Sequence, residues 1–416
     1  MAQLVSLGLT MSNTLDITKA VQNLYNTYPF PPEPLTDGTP PGYNWRWCVP
    51  AAQNFALGWV LPPAPALHIL DAGCGTGVGT DYLAHLNPTA QVTGIDLSEA
   101  ALEIAQKRVA GSGVAERVKL AQLSLTDVQT LSQQFQYINC VGVLHHLPNP
   151  QAGLRALAEV LAPGGLMHIF VYALWGRWEI RLMQKAIGLL QPAGDYRAGV
   201  SIGRQLFAHL PAENRLVRRE KERWALDNTQ DATFADMYVH PQEIDYTVQT
   251  LFELIQDSGL EFLGFSNPRY WQLERLLAPM PALLEAARHL PQQQQYELME
   301  ALDPELTHFE FFLGRPPLSR CPGDETTWLQ SIPQRSMCMM GWPSRSLLDY
   351  DYQPVDLTPL EQELLSQCTG ECTVAEVLKQ VPGTTLDQVK SLHQRQLLWL
   401  NKPGISPLGD RPELHQ

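Results

Sequence analysis

Gly73-Cys74-Gly75-Thr76-Gly77, with Asp71 just before it, is the part of this 416-residue sequence best suited to chemistry. Glycines permit a tight turn and let backbone approach a ligand closely. A G-x-G-x-x-G loop would seat a pyrophosphate at the start of the following helix. Here the third glycine of that pattern is replaced by Val78, and the acid at Asp71 would repel a pyrophosphate. Asp71 suits an ammonium group instead. A second acid, Asp96, closes the next apolar run in Gly94-Ile95-Asp96-Leu97, where a carboxylate can accept bonds from both hydroxyls of a ribose. The residue types describe a nucleoside with a zwitterionic tail and no phosphates. Further along, His145-His146 and the line Asp236-Met237-Tyr238-Val239-His240-Pro241 supply groups that titrate near neutrality.

Positioning these groups requires strands that end at the loop and at Asp96. Short apolar runs alternate with helical patterns: His68–Ala72 then Asp81–Leu86, Gln91–Leu97 then Glu99–Val109, Val118–Leu123, Tyr137–Val143 then Gln151–Leu161, and Leu166–Ala173. That rhythm predicts repeated strand–helix–strand units and a parallel sheet covered by helices on both faces. Strand patterns return at Leu260–Phe265 and Thr307–Leu313. The expected fold class is α/β, a Rossmann-like doubly wound sheet of mostly parallel strands with one reversed late strand. A helical insertion follows strand five, and a small winged-helix-like helical unit ends the chain. The expected divisions are an N-terminal helical cap over 1–62, a main domain over 63–320 with the insertion at 174–250, an arm over 321–354, a small domain over 355–404, and a tail over 405–416.

Leu70-Asp71-Ala72-Gly73-Cys74-Gly75-Thr76-Gly77 resembles motif I of the class I S-adenosylmethionine-dependent methyltransferases. The resemblance extends in order through Asp96, through Gly142-Val143-Leu144-His145-His146-Leu147, and through Leu161-Ala162-Pro163-Gly164-Gly165, covering roughly residues 67–175. It implies S-adenosyl-L-methionine as cofactor and methyl transfer as the activity. Carried over by motif position, Asp71, Gly73, Cys74, Gly75 and Gly77 would surround the methionine part, Asp96 would hold the ribose, and Leu97 would pack on the adenine. The family often has an acid after strand three for the adenine amino group. Ser124, followed by Leu125, stands there instead, with Asp127 as the alternative that reaches back. Cys140, at the end of strand four, would lie beside the sulfonium or serve as a small buried residue. Gln136 also departs from the family, which usually has Asp there.

His145, His146 and His240 are the catalytic candidates, each also readable as a packing histidine. Tyr172, Arg177, Trp178 and Glu179, with Glu243, Asp245 and Tyr246, are candidates for the acceptor wall. The five basic residues of Arg215–Arg223 alternate with Glu220 and Glu222, which favours a solvated helix face over a phosphate site. The aromatics Tyr25, Tyr28, Phe30, Tyr43, Trp45 and Trp47 would either fold over the cofactor cleft as a lid or pack outside the sheet.

Composition narrows the partners. With 29 Lys+Arg against 43 Asp+Glu the net charge is −14, which argues against a nucleic-acid partner or an anionic membrane surface. No apolar stretch is long enough to span a bilayer, and seven cysteines without a Cys-x-x-Cys pair suit a reducing compartment. A cytoplasmic methyltransferase without a bound metal is the expectation. Its acceptor would be a small molecule, or alternatively a protein side chain docked by 355–404, or the chain would be a non-catalytic S-adenosylmethionine-binding interaction protein. Met11 opens a better-organised stretch than Met1 and is the alternative start.

Overall fold

The computed structural model describes residues 11–35 and 45–403. The expectations for the first ten residues, Tyr43 and the 405–416 tail lie outside the described residues. Helices α1 (Met11–Thr27) and α2 (Val49–Leu57) precede the sheet. Then come β1 (Leu67–Ala72), α3 (Val78–Leu86), β2 (Ala90–Asp96), α4 (Glu99–Ser112), β3 (Val118–Gln122), β4 (Phe135–Val141), α5 (Pro150–Val160) and β5 (Leu161–Tyr172). Their boundaries follow local chemistry. Ser98 caps α4 by accepting from the Ala101 N–H, and Gly113 ends it at a φ of 82°. Asn149 caps α5 and is followed by Pro150, whose missing N–H costs nothing in a first turn.

The insertion after β5 contains α6 (Trp178–Leu190), α7 (Tyr196–His209), α8 (Arg215–Arg223) and α9 (Asp231–Tyr238). It closes at Thr247, which forms a capping box with Thr250 at the start of α10 (Val248–Gln256). Asp236 sits inside α9, not ahead of a helix, because Pro241 cannot extend that helix and α10 starts only after Thr247. On α8, Arg219 and Arg223 pair with Glu179 and Glu305. Beyond α10 lie β6 (Glu261–Phe265), three short helices α11 (Glu274–Leu277), α12 (Pro281–Arg288) and α13 (Gln292–Leu302), and β7 (His308–Gly314).

The strands form one sheet in the order β3-β2-β1-β4-β5-β7-β6, with β7 antiparallel to both neighbours and the others parallel. This is the Rossmann-like sheet with a reversed late strand. Sequence order reverses between β1 and β4, and the crevice at the carboxyl ends of strands beside such a switch point is where ligands bind. At the opposite, amino-terminal end of the strands, Gln136 has a structural task, its side-chain carbonyl accepting from the His68 N–H at 2.8 Å.

The arm at 321–354 carries α14 (Glu325–Gln330), β8 (Ile332–Arg335) and β9 (Ser346–Leu348), which pairs with β10 (Pro354–Asp356). The last unit holds α15 (Pro359–Gln367), α16 (Val374–Gln380) and α17 (Leu386–Gln394), each started by a capping box. The final helical pattern, expected to run to Leu400, stops early. Gln396 takes a φ of 56°, and the buried run Leu398–Asn401 becomes β11, paired with β8. An apolar run of that length is compatible with either state, and an available partner strand decides. The unit shares a core with α2 and with the sheet face bearing Ile69, Tyr137, Leu166 and Phe312. No helix among the described residues is long and apolar enough to cross a membrane.

Candidate active site

A cavity of about 880 Å³ opens at the carboxyl ends of β1, β2, β4 and β5. Its floor is the glycine loop. Gly73, Gly75 and Gly77 have φ of 82°, 52° and 83°, where side chains are strained. Crowding adds a second reason. A Cβ on Gly73 would lie 2.2 Å from Val143 Cγ2, and one on Gly75 would lie 2.3 Å from the Phe30 carbonyl oxygen. Gly77 does not line the cavity. A Cβ there would meet Ala105 Cβ at 2.8 Å, so this glycine lets α4 approach the loop.

Two carboxylates border the loop. Asp71 Oδ2 accepts from Thr80 Oγ1 (2.6 Å) and Oδ1 from Asn139 Nδ2 (2.8 Å). Asp96 Oδ2 accepts from the Gly75 N–H and Oδ1 from the Ser98 N–H, both at 2.8 Å. Burial pushes both acids above the ordinary value, against these hydrogen bonds. Each oxygen retains acceptor capacity toward the cavity. Cys74, Leu97, Ser124 and Leu125 also line it. The Ser124 hydroxyl is engaged with Thr126 Oγ1 at 2.8 Å as it caps a short 3-10 helix, while Asp127 does not reach the wall. Cys140 is turned away. Side chains alternate along a strand, so Asn139 and Val141 face the cavity and Cys140 is buried in the hydrophobic core.

The N-terminal segment forms the roof. Thr18, Val21 and Tyr25 of α1, with Phe30 and Pro31, line the cavity opposite the loop. The Phe30 carbonyl accepts from the Thr76 N–H at 3.0 Å and the Pro31 carbonyl from Thr76 Oγ1 at 2.6 Å. Buried Arg108 on α4 ties both layers together, donating to the Thr76, Pro34 and Glu33 carbonyls at 3.0, 2.9 and 2.8 Å. Arg108→Ala should therefore free the 28–35 strap and weaken S-adenosylmethionine binding about tenfold, since bonds from a charged donor are worth roughly 1.5–3 kcal/mol. Calorimetry with limited proteolysis checks this; unchanged affinity would show that the strap plays no part in holding the ligand.

The far end of the cavity brings together residues from distant parts of the chain. Tyr25 OH donates to Asp236 Oδ1 at 2.8 Å, and His146, Phe170 and Tyr172 complete the wall. His146 Nδ1 lies 2.8 Å from the Gln242 carbonyl. A carbonyl only accepts, so Nδ1 carries the hydrogen and Nε2 keeps the lone pair. Burial lowers the His146 pKa below its ordinary value, although Asp236 and Glu243 oppose it. Burial also raises Asp236 and Tyr25, with Asp236 itself adding to the shift of the phenol.

His145 and His240 do not line the cavity. His240 stacks behind His146 at 3.7 Å and His145 packs beside it at 4.0 Å between ring centres. Among the described residues, neither His145 nitrogen nor His240 Nε2 has a hydrogen-bond partner. Arg177 lies over the Tyr172 ring at 3.4 Å and donates Nη2 to both Glu243 oxygens at 3.1 Å, so this buried pair supports the wall from outside. Trp47, one of the aromatics read as lid or packing, lines the cavity. Sequence reasoning passed over Asn139 and Thr80 as site residues; an asparagine inside an otherwise apolar run was the available signal for the first.

Among the described residues, the cavity wall holds three carboxylates, Asp71, Asp96 and Asp236, and no lysine or arginine. That donor set fits a cationic nucleoside without phosphates, and the glycine cradle fits its close approach. The methyltransferase-domain family matches residues 69–165. An uncharacterized protein of Synechococcus sp. is 54% identical over 391 residues, covering 92% of this chain and 93% of its own. The ubiquinone biosynthesis O-methyltransferase of Pseudomonas syringae pv. tomato is 33% identical over 134 residues, 32% of this chain and 51% of its own, so the chain spans about half of that relative. Two structures of PKMT2 from Rickettsia typhi, one in complex with AdoHcy, share the fold at 16% identity. Their TM-scores are 0.61 and 0.60, with 87% and 88% of this chain and 77% of that chain covered. Loop, acids, strand order and these matches agree: the chain belongs to the class I S-adenosylmethionine-dependent methyltransferases.

Proposed function

We propose that the acceptor is a small molecule and that the methyl group goes to one of its hydroxyl oxygens. The observation that carries this reading is the convergence of Tyr25, His146 and Asp236 at one end of a roofed cavity lined there by Phe170 and Tyr172. S-adenosylmethionine, when bound, would supply a sulfonium methyl for in-line attack by the acceptor oxygen, with S-adenosylhomocysteine as the leaving thioether. Asp71, Asp96 and the glycine loop bind and orient the cofactor, and the strap excludes water. His146 takes the hydroxyl proton at Nε2, while Tyr25 and Asp236 orient the acceptor through hydrogen bonds. Alignment of the two reactants supplies most of the acceleration, with the base adding its share.

A protein acceptor docked by the C-terminal unit is the second reading. Against it, no described residue beyond Asp236 lines the cavity, and the unit's core joins α2 on the sheet face that bears Ile69 and Tyr137. Relatives named as O-methyltransferases lend support to oxygen as the acceptor atom. Incubation with methyl-labelled S-adenosylmethionine in a cell lysate tests the reading. Label should appear in the low-molecular-weight fraction; label in a discrete protein band would overturn it.

A further inference from the structure

A second set of polar groups runs beneath the cavity floor, outside the acceptor chemistry. Asn139 on β4 and His168 on β5 occupy paired register positions and are 2% and 0% exposed. Asn139 Oδ1 accepts from the Trp47 indole N–H at 3.0 Å and lies 2.9 Å from His168 Nδ1. Asn139 Nδ2 donates to Asp71 Oδ1. On the other side of the ring, His168 Nε2 lies 3.0 Å from Glu310 Oε1. Glu310 Oε2 accepts from Ser266 Oγ at 2.8 Å and pairs with Arg46 Nε at 2.6 Å. Arg46 Nη2 continues to Asp351 Oδ1 at 3.3 Å.

Donor and acceptor chemistry allows one arrangement of these groups. An indole nitrogen only donates, so the Asn139 atom that meets Trp47 is its carbonyl oxygen, and the amide faces Asp71. The same oxygen meets His168 Nδ1, which must therefore carry hydrogen. Nε2 then faces a carboxylate oxygen, and a proton has to lie between the two. Burial pushes Glu310 upward, but the His168 hydrogen bond and the Arg46 charge prevail and hold it at about 2. One proton is shared on the Nε2–Oε1 contact, and Nδ1 carries hydrogen whichever side holds that proton. Burial leaves His168 below its ordinary value, with Arg46 adding to the shift and the Glu310 bond opposing it. Of the groups around it, Glu310 favours the charged ring, whereas Arg46 does not. The bond to Asn139 Oδ1 adds a second acceptor that a neutral ring could not satisfy together with an ionised Glu310.

We infer that His168 is a positioning residue for the cofactor: its Nδ1–H, held in place by the Nε2–Glu310 contact, locks the Asn139 amide, which holds the Asp71 carboxylate toward the ammonium end of S-adenosylmethionine. The inference rests on Asp71 as the acid for that ammonium. Without the His168 donor, only the Trp47 indole still holds the Asn139 oxygen, and the grip of the amide on Asp71 loosens. A network of polar contacts thus runs from Asp351 to the methyl donor's site.

The test compares two ligands on the full chain by calorimetry. S-adenosylhomocysteine carries the amino-acid tail, and 5′-methylthioadenosine has the same nucleoside without it. His168→Gln and Asn139→Leu should weaken S-adenosylhomocysteine about tenfold, the value of one hydrogen bond to a charged group. They should leave 5′-methylthioadenosine unchanged. Equal weakening of both ligands would reduce His168 to a merely structural residue and overturn the inference. Nitrogen-15 spectra of histidine-labelled wild-type protein remain informative should a variant not fold. His168 Nδ1 should be protonated at neutral pH, and a lone pair there would overturn the inference. Wild-type protein that gains no affinity from the amino-acid tail would remove Asp71 from its role, and this proposal with it.

Discussion

Asp96→Ala should weaken S-adenosylhomocysteine binding roughly 100-fold in a calorimetric titration, a loss of about 3 kcal/mol. The carboxylate has two tasks at once. It accepts the Gly75 and Ser98 N–H groups at 2.8 Å each, so it ties the glycine loop to the start of α4. Its remaining lone pairs are the acceptors for the ribose hydroxyls. Removing it leaves two backbone donors without partners in a site that burial has largely dried, at roughly 1–3 kcal/mol for each unsatisfied group. Asp96→Asn should fall between wild type and Ala, because one amide position then faces an N–H with a donor of its own. Far-ultraviolet circular dichroism serves as the folding control. A loss smaller than fivefold in a folded Asp96→Ala protein would remove Asp96 from the cofactor site.

His146→Gln should lower kcat by roughly 100- to 10,000-fold, the range over which a positioned base contributes, with the KM for S-adenosylmethionine little changed. The pH profile gives the sharper signature. A base works only in its neutral form, so wild-type kcat rises with pH and levels off once His146 has lost its proton. Burial lowers that transition below the ordinary histidine value of 6.5, which places the acid limb beneath it and a plateau across neutrality. Asp236, Glu243, Arg177, His145 and His240 surround the ring, and the two carboxylates pull the limb back toward 6.5. In the variant the limb should vanish. A limb that persists, or a kcat loss below tenfold, would assign the proton to another group, with Asp236 the next candidate.

Much of the sheet was legible because its signals are local. The glycine loop, Asp96 and the strand–helix alternation depend on residues a few positions apart, and the elements were placed close to their positions in the fold, the widest gap being the start of β5, read at Leu166 and found at Leu161. The late strands at Leu260–Phe265 and Thr307–Leu313 were legible for the same reason. The acceptor end was not. Tyr25 and Asp236 meet across 211 positions of sequence, and nothing in either neighbourhood announces the other. Cys140 illustrates a finer limit. A place beside the cofactor was one expectation for it, from its position along β4, but the two-residue period of a strand decides which face a side chain takes; Cys140 turned into the core and Asn139 took the cavity side. Asn139 and His168 were hidden inside apolar runs, where one polar residue reads as an interruption until its partner across the strands is known.

The strap over the glycine loop also sets a tempo. Phe30 and Pro31 are held to Thr76, and Glu33 and Pro34 to Arg108, so the methyl donor and its spent form share an exit that opens only when these latches let go together. In many enzymes with such a cover, release and not chemistry sets steady-state turnover, and breaking these latches is the step at which the strap would enter the cycle.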